Sequence, residues 1–165
     1  MKLLTPNLYL NTIFELDTKK LKAIGIKGLI IDIDNTLTGW DSKHACVDTV
    51  NWLMKLKNEG FKICLVSNNN KGRVVEFNKE MNFPMVFSAR KPRKTPFKKA
   101  IRILETDIYN TAVIGDQIFT DVLGGNRTGL FTILVVPIKS KEFWWTAFVR
   151  HIERQVIKRV SLKTK

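Results

Sequence analysis

The sequence predicts an α/β fold built on a doubly wound parallel sheet. Short apolar runs of strand length alternate along the chain with segments of helical spacing. The apolar runs are nearly continuous, which is typical of parallel strands covered by helices on both faces. The chain has 165 residues, of which 44% are hydrophobic, and this suffices for one globular domain with a real core.

The first half of the pattern contains two strands and two helices. The run KGLIIDI over 27–33 is a nearly continuous apolar run of strand length and predicts the first strand. Apolar residues at near-helical spacing predict a helix over 45–60, which ends at a glycine. FKICLVSN over 61–68 predicts the second strand, and KGRVVEFNKEMN over 71–82 predicts the next helix.

The second half repeats the alternation. A short strand is predicted over 83–89, followed by a helix over 95–106 with Thr95 as its N-cap and Pro96 at its first position. TAVIGD over 111–116 predicts the fourth strand. The final elements are a short helix interrupted by glycines over 119–129 and a strand over 130–137.

Polar and charged residues follow the core strands at their carboxyl ends. In open parallel sheets, ligands bind outside these ends, where the strand order reverses. We therefore expect these side chains to converge on one site. They are Asp32 and Asp34 after the first strand, Ser67, Asn68, Asn69 and Asn70 after the second, Arg90, Lys91, Arg93 and Lys94 after the third, and Asp116 and Asp121 after the fourth.

Three carboxylates at one edge require a compensating cation, and an oxygen-rich donor set without Cys or His indicates a hard ion such as Mg²⁺. One carboxylate can then attack phosphorus, and the other carboxylate of the Asp-x-Asp pair can act as a general acid and base. Ser67 and Lys91 are candidates to hold the phosphoryl oxygens. Lys94 competes with Lys91 for this role, and Asn68 is either part of the phosphate pocket or a turn side chain.

These residues resemble the four-motif signature of the haloacid dehalogenase (HAD) superfamily over about residues 27–137. The motifs stand in the order Asp32-x-Asp34-x-Thr36, Ser67, Lys91-Pro92 and Gly115-Asp116-x4-Asp121. The resemblance implies a Rossmann-like HAD fold with strand order 3-2-1-4-5. It also implies a phosphate-binding role for Ser67 and Lys91.

The resemblance implies a role for each acid. Asp32 is expected to be the nucleophile, and Asp34 the general acid and base whose backbone carbonyl also binds Mg²⁺. Asp116 is expected to be a direct Mg²⁺ ligand together with Asp32. Asp121 is expected to support the metal or its waters, and Thr36 to position the motif loop.

The segments DIDNTLTGWD, VSNNN and GDQIFTDVLGGNRTG are more narrowly similar to YqeG-type class III HAD phosphatases, a group related to phosphatidylglycerophosphate phosphatases. This resemblance extends to residues 1–26, which are expected to form a helical leader that packs on a core formed by residues 27–138. The short intervals between motifs leave no room for a large cap domain. The site is therefore expected to be open, acting on large substrates or borrowing a lid from a partner or a second subunit.

The net charge of +13 favours an anionic partner. No known nucleic-acid-binding module is visible in the sequence. The start of the chain is a poor signal peptide, and no apolar run approaches the length of a membrane span. We therefore expect a cytoplasmic location, with peripheral attachment at the inner membrane surface as a further expectation.

The segment 139–165 predicts a basic amphipathic helix. Seven basic and two acidic residues lie between 141 and 165, and two tryptophans stand near its beginning. Such a helix can lie in an anionic membrane interface. The alternative is a helix that packs on the domain or on a second subunit.

The sequence therefore predicts a Mg²⁺-dependent phosphomonoester hydrolase that works through an aspartyl-phosphate. The resemblance, together with the open site, the basic charge and the amphipathic tail, favours phosphatidylglycerophosphate or a similar anionic lipid phosphate as the substrate. A nucleotide, a sugar phosphate or a nucleic-acid end is the alternative substrate. A non-catalytic scaffold that retains the fold is the alternative of another class. Trp40 and Asp41, in the segment after the first strand, either help select the substrate or pack as part of a flap.

Overall fold

The computed structural model describes residues 2–139. Six strands within this range form one fully parallel sheet. The strands are β1 Leu8–Leu10, β2 Gly28–Ile31, β3 Lys62–Val66, β4 Met85–Val86, β5 Thr111–Gly115 and β6 Phe131–Val135. The helices are α1 Thr18–Ala23, α2 Val47–Asn58, α3 Lys71–Asn78, α4 Lys94–Leu104 and α5 Leu123–Thr128, with short 3₁₀ turns at Lys2–Leu4 and Ile13–Glu15 and a π-helical turn at Ile118–Val122.

The strand order is β1-β6-β5-β2-β3-β4, which confirms the predicted order 3-2-1-4-5 for the five core strands. The order reverses between β2 and β5, which pair with Ile30 opposite Val113. The carboxyl ends of β2, β3 and β5 therefore lie side by side at the reversal, where α/β proteins bind ligands.

The two faces of the sheet pack into separate apolar clusters because successive strand residues point to opposite faces. Leu29 and Ile31 of β2 belong to one cluster, which also contains Leu53 of α2. Ile30, between them, belongs to the other cluster with Phe97 of α4. This arrangement explains why the strands read as continuous apolar runs.

The leader is not only helical, because Leu8–Leu10 form the edge strand β1. This strand pairs with β6, with Leu8 opposite Ile133. Just before it, the Asn7 side chain accepts hydrogen bonds from the backbone N–H and the hydroxyl of Thr132. Leu21 of α1 and Ile26 complete the attachment by packing in the main core cluster.

Two predicted boundaries were wrong for identifiable backbone reasons. The strand predicted over 83–89 is limited to Met85–Val86, because Ser88 and Arg90 adopt left-handed backbone conformations that end the pairing. Helix α4 begins at Lys94 with Arg93 as its N-cap, rather than being capped by Thr95. Proline is tolerated at position 96 because the N–H groups of a first helical turn have no intrahelical partner.

The other helices also differ from their predicted lengths. Helix α3 ends at Asn78, whose side chain hydrogen bonds to the backbone N–H and carbonyl of Phe83, and Asn82 is left-handed. The helix predicted over 119–129 is a π-helical turn that continues into α5. No helix within residues 2–139 combines the length and apolarity needed to cross a membrane. The predicted tail helix lies outside the described residues.

Candidate active site

Asp32 stands immediately beyond β2, and its backbone continues the sheet by donating to the Ile114 carbonyl at 2.9 Å. Its side chain is buried. Asn35 adopts a left-handed conformation in the following turn, which returns Thr36 toward the end of the strand. The Thr36 hydroxyl lies 3.3 Å from Asp32 Oδ2 and 3.4 Å from Asp116 Oδ1, so it touches two of the predicted acids.

Lys91 is the buried cation of the site, with only 3% of its side chain exposed. Its Nζ lies 2.5 Å from Asp32 Oδ1 and 2.6 Å from Asp121 Oδ1, and it also donates to the Val66 carbonyl at 3.1 Å. These acceptors match the three donors of an ammonium group. The two buried carboxylates hold the pKa of Lys91 above its usual range although burial opposes the charge.

Asp116 follows β5 directly, and Asp121 lies in the π-helical turn that packs back against the strand. Gly115 makes this close approach possible, since a Cβ there would lie 2.3 Å from Asp121 Cγ. Asp121 Oδ2 accepts from the Gln117 backbone N–H at 3.2 Å and from the Thr120 hydroxyl at 3.3 Å. Both oxygens of Asp121 therefore have protein donors.

The carboxylates of Asp32, Asp116 and Asp121 each offer an oxygen within 4.8 Å of the others, and all three residues are buried. Burial, together with the charges of Asp32 and Asp121, raises the pKa of Asp116 to about 8. Burial also raises the pKa of Asp32, against the opposing effect of Lys91. A single ammonium does not balance three carboxylates, so an all-oxygen donor set with excess negative charge fits a hard divalent cation.

Asp34 lies outside this group of three and has its own partners. Its Oδ1 accepts from Arg73 Nη2 at 2.9 Å, and its Oδ2 accepts from Asn69 Nδ2 at 2.8 Å. The Ser67 hydroxyl approaches Oδ2 at 3.4 Å. The two acids of the Asp-x-Asp pair thus have different neighbours, and both lie beyond the last residue of β2, Ile31.

A cavity of about 200 Å³ opens between the two acids. It is large enough for a phosphoryl group and open to solvent on one side. The Asn68 carboxamide oxygen accepts from the Lys91 backbone N–H at 2.8 Å, which ties the loop after β3 to the loop after β4. The residues lining the cavity are Asp32, Asp34, Ser67, Asn68, Asn69, Lys91, Gln117 and Thr120.

The structure brings all the predicted site residues to the carboxyl edge of the sheet, including Thr36 and Asp121. Lys91 and not Lys94 enters the cavity, and Lys94 is exposed at the start of α4. Asn69 contacts Asp34 as part of the site, whereas Asn70 is the N-cap of α3. Arg73 was missed, because the sequence does not distinguish an arginine that pairs with Asp34 across 39 positions from a solvated charge in the first turn of α3.

Comparisons with known proteins agree with this geometry. A HAD-hydrolase-like family model matches residues 88–137, which include Lys91, Asp116 and Asp121. "Probable phosphatase YqeG" of Bacillus subtilis is 41% identical over 162 residues, which cover 98% of this chain and 94% of that protein. This chain belongs to the YqeG group of HAD-superfamily phosphatases.

This HAD phosphatase is also similar to more distant proteins. "Phosphatidylglycerophosphate phosphatase 1, chloroplastic/mitochondrial" of Arabidopsis thaliana is 24% identical over 93% of this chain, which spans about half (47%) of that protein. The cobalt-bound deoxy-D-mannose-octulosonate 8-phosphate phosphatase of Haemophilus influenzae shares the fold with a TM-score of 0.56 at 16% identity. That alignment covers 69% of this chain and 70% of that chain.

The buried acids of the HAD site predict a pH-dependent stabilisation by Mg²⁺. Without a divalent cation, the pKa of Asp116 is higher in the folded state than in the unfolded state, where it is near 3.8. The folded state therefore binds this proton more tightly. The free energy of unfolding should therefore fall as the pH rises from about 4 to about 8. Excess MgCl₂ should raise the melting temperature more at about pH 8 than at about pH 5, because the ion replaces the lost protons.

Thermal unfolding in EDTA and in MgCl₂ across this pH range measures the effect. Asp116→Asn removes the titrating group, so its unfolding should depend less on both pH and Mg²⁺. If MgCl₂ raised the melting temperature of the wild-type protein by the same amount at every pH, the ion would not be binding at these carboxylates.

Proposed function

We propose that this HAD phosphatase hydrolyses phosphomonoesters through an aspartyl-phosphate formed on Asp32. The observation that carries the proposal is that Asp32 lines an open cavity together with the second acid, Asp34, and with Lys91, whose ammonium contacts it. A buried carboxylate with a bound cation on one side and a proton carrier on the other has the groups needed for phosphoryl transfer.

Mg²⁺ is the proposed cofactor, held by the carboxylates of Asp32 and Asp116 and by the backbone carbonyl of Asp34. Asp121 is assigned to support, the role that the HAD motifs imply for it, and its oxygens accept hydrogen bonds from Lys91, Gln117 and Thr120. Bound there, the ion would offset the repulsion among the carboxylates and withdraw charge from a phosphoryl oxygen.

The proposed reaction has two balanced steps. Asp32 attacks phosphorus, the bond from phosphorus to the alcohol oxygen breaks, and Asp34 gives its proton to that oxygen. Asp34 then takes a proton from a water molecule whose oxygen attacks the phosphorus of the aspartyl-phosphate. The bond between phosphorus and the Asp32 oxygen breaks, which releases inorganic phosphate and restores both acids.

Lys91, Ser67 and Asn68 are assigned to the phosphoryl oxygens. Lys91 also keeps Asp32 oriented, since its ammonium spans Asp32 and Asp121. Ser67 is buried at the end of β3, and its hydroxyl lies in the wall of the cavity beside Asn68. Donors fixed in this way can stabilise the charge that develops on the phosphoryl group without reorganising during the reaction.

Hydrolysis of p-nitrophenyl phosphate with MgCl₂ or with EDTA tests the activity. We expect turnover that depends on Mg²⁺ and is lost in EDTA. No Mg²⁺-dependent release of p-nitrophenol, in protein shown to be folded by circular dichroism, would contradict the proposal and favour a non-catalytic scaffold.

We further propose an anionic lipid phosphate, such as phosphatidylglycerophosphate, as the substrate class. The named activity of the Arabidopsis relative supports this choice. The cavity supports it too, because about 200 Å³ holds a phosphoryl group but leaves the rest of a substrate outside. No segment within residues 2–139 forms a cap domain that could enclose a small molecule.

The rim of the site has the chemistry of a surface that contacts anionic lipid. Trp40 and Phe119 are each 68% exposed, and they stand on the segments that follow β2 and β5. Exposed basic residues stand on the same edge of the sheet, and aromatic and basic side chains together favour an anionic membrane interface. The exposed basic residues are Lys43, Lys71, Arg90, Arg93 and Lys139.

In this proposal the protein works at the cytoplasmic surface of a membrane, and the basic sequence over 141–165 adds to its attraction. The double variant Trp40→Ala with Phe119→Ala should lower kcat/KM by roughly tenfold for phosphatidylglycerophosphate in anionic vesicles. The same variant should keep its kcat/KM for p-nitrophenyl phosphate, because neither aromatic side chain lines the cavity.

Tyr109→Ala is the matched control. Tyr109 is 84% exposed, but it precedes β5 and so lies at the opposite edge of the sheet. Its replacement should leave both activities unchanged. Equal kcat/KM values of the double variant and the wild-type protein on vesicles would contradict docking through this rim.

A further inference from the structure

The two carboxylate oxygens of Asp34 have different surroundings. Oδ2 is contacted by Asn69 and Ser67, which both line the cavity. Oδ1 is contacted by Arg73, which is not among the described residues that line the cavity. Oδ2 therefore faces the proposed phosphoryl site, while Oδ1 is anchored on the side of α3.

Arg73 is fixed at the point from which it makes this contact. Its backbone N–H donates to the Asn70 side chain at 3.0 Å, in the N-cap of α3. Its side chain is only 15% exposed, and its Nη2 forms a 2.9 Å ion pair with Asp34 Oδ1. The arginine therefore approaches the carboxylate through one oxygen, not as a bidentate pair.

The burial of Arg73 is unfavourable on its own. Its Nη1 is buried, and no described residue accepts a hydrogen bond from it. Leaving a buried guanidinium N–H unpaired destabilises the folded state, and an apolar side chain of similar length would avoid that cost. The ion pair with Asp34 is the contact that accounts for an arginine at this position.

We propose that Arg73 is a positioning residue for proton transfer, an inference that rests on the function proposed above. By holding Oδ1, Arg73 fixes the carboxyl group so that Oδ2 points into the cavity. The leaving alcohol oxygen takes the place of Asn69 and Ser67 at Oδ2 and receives the proton there. In the second step the same oxygen takes the proton from water. Arg73 itself exchanges no proton.

The dependence of kcat/KM on the leaving group distinguishes a positioning role from a purely structural one. An alkoxide requires a proton as it departs, whereas p-nitrophenolate is stable without one. In Arg73→Met, kcat/KM for an alkyl phosphate such as glycerol 3-phosphate should fall on the order of 10²-fold. For p-nitrophenyl phosphate it should fall by less than about threefold, since kcat/KM reports only the steps up to alcohol release.

The ratio of the two kcat/KM values is the decisive quantity, because it does not depend on the fraction of folded enzyme. Lys79→Met is the matched control. Lys79 is exposed at the end of the same helix, away from the cavity, so its removal should leave the ratio unchanged. Arg73→Lys keeps a donor and should change the ratio less than Arg73→Met.

Equal losses on both substrates in Arg73→Met would overturn the positioning role and leave Arg73 as a structural residue. An altered ratio in Lys79→Met would also overturn it, because a general loss of positive charge would then explain the effect. A wild-type protein that hydrolyses neither substrate with Mg²⁺ would instead contradict the proposed function.

Discussion

Replacing Asp32 with Asn should abolish hydrolysis, with a loss in kcat of at least about 10⁴-fold. The amide has nearly the shape of the carboxylate, and its oxygen can still accept a hydrogen bond from Lys91 Nζ, which lies 2.5 Å from Oδ1 in the wild-type protein. The amide nevertheless cannot attack phosphorus to form an acyl phosphate. Labelled substrate quenched in acid should leave a hydroxylamine-sensitive phosphoryl group on the wild-type protein and none on Asp32→Asn.

The same substitution should not destabilise the fold. Burial raises the pKa of Asp32, so its ionised form disfavours the folded state when no divalent cation is bound. In EDTA at about pH 8, we expect Asp32→Asn to melt at the same temperature as the wild-type protein or above it. Loss of activity with retained stability is the signature of a catalytic group.

Asp48→Asn is the control, because Asp48 is exposed in the first turn of α2 and lies away from the cavity. It should keep full activity. If Asp32→Asn retained more than about a hundredth of the wild-type activity, another group would have to be the nucleophile and the proposed mechanism would be wrong.

The core of the fold could be predicted because its strands carry their signal locally. Each central strand is buried on both faces, so the sequence over 29–31 or 112–114 is apolar whatever its neighbours are. Strand β1 has no such signal. Leu8–Leu10 are three residues long, and their strand conformation depends on β6 and on the Asn7 contacts with Thr132, which lie 125 positions away.

The residues of the candidate site also differ in whether the sequence alone predicts their position. Residues directly beyond strand ends, such as Asp32, Ser67 and Asp116, are placed by topology alone. The contact between Arg73 and Asp34 depends on a side chain reaching back from a helix across 39 positions. The contact of Asn69 with Asp34 depends on the loop conformation after β3. Neither residue type nor spacing distinguishes such contacts from local caps or solvated charges.

Lys91 and Lys94 show how the structure resolves an alternative that the sequence left open. Both residues lie in the basic segment RKPRKTP, and either could have met the phosphoryl group. Lys91 is 3% exposed and spans Asp32 and Asp121, whereas Lys94 is exposed on α4. The two lysines therefore form a matched pair for substitution by methionine, which preserves much of the side-chain volume.

Lys91→Met should lower both stability and activity. It leaves Asp32 and Asp121 without their shared cation, and removing one partner of a buried ion pair typically destabilises a protein by about 3–5 kcal/mol. For a chain of this size, the melting temperature in EDTA should fall by roughly 10 °C. The activity of the folded fraction, measured with Mg²⁺ below the melting transition, should fall by about 10²–10³-fold.

The pH and metal dependence of the loss identifies its cause. At about pH 5 the raised pKa values of Asp116 and Asp32 allow protons to replace the missing ammonium charge, so the deficit should shrink there and grow toward about pH 8. Excess MgCl₂ should recover part of the stability but not the activity, because a cation can offset the carboxylates without replacing the Lys91 donor. Lys94→Met should match the wild-type protein in every measurement. A larger loss of activity in Lys94→Met than in Lys91→Met would contradict the assignment of Lys91 to the phosphoryl group.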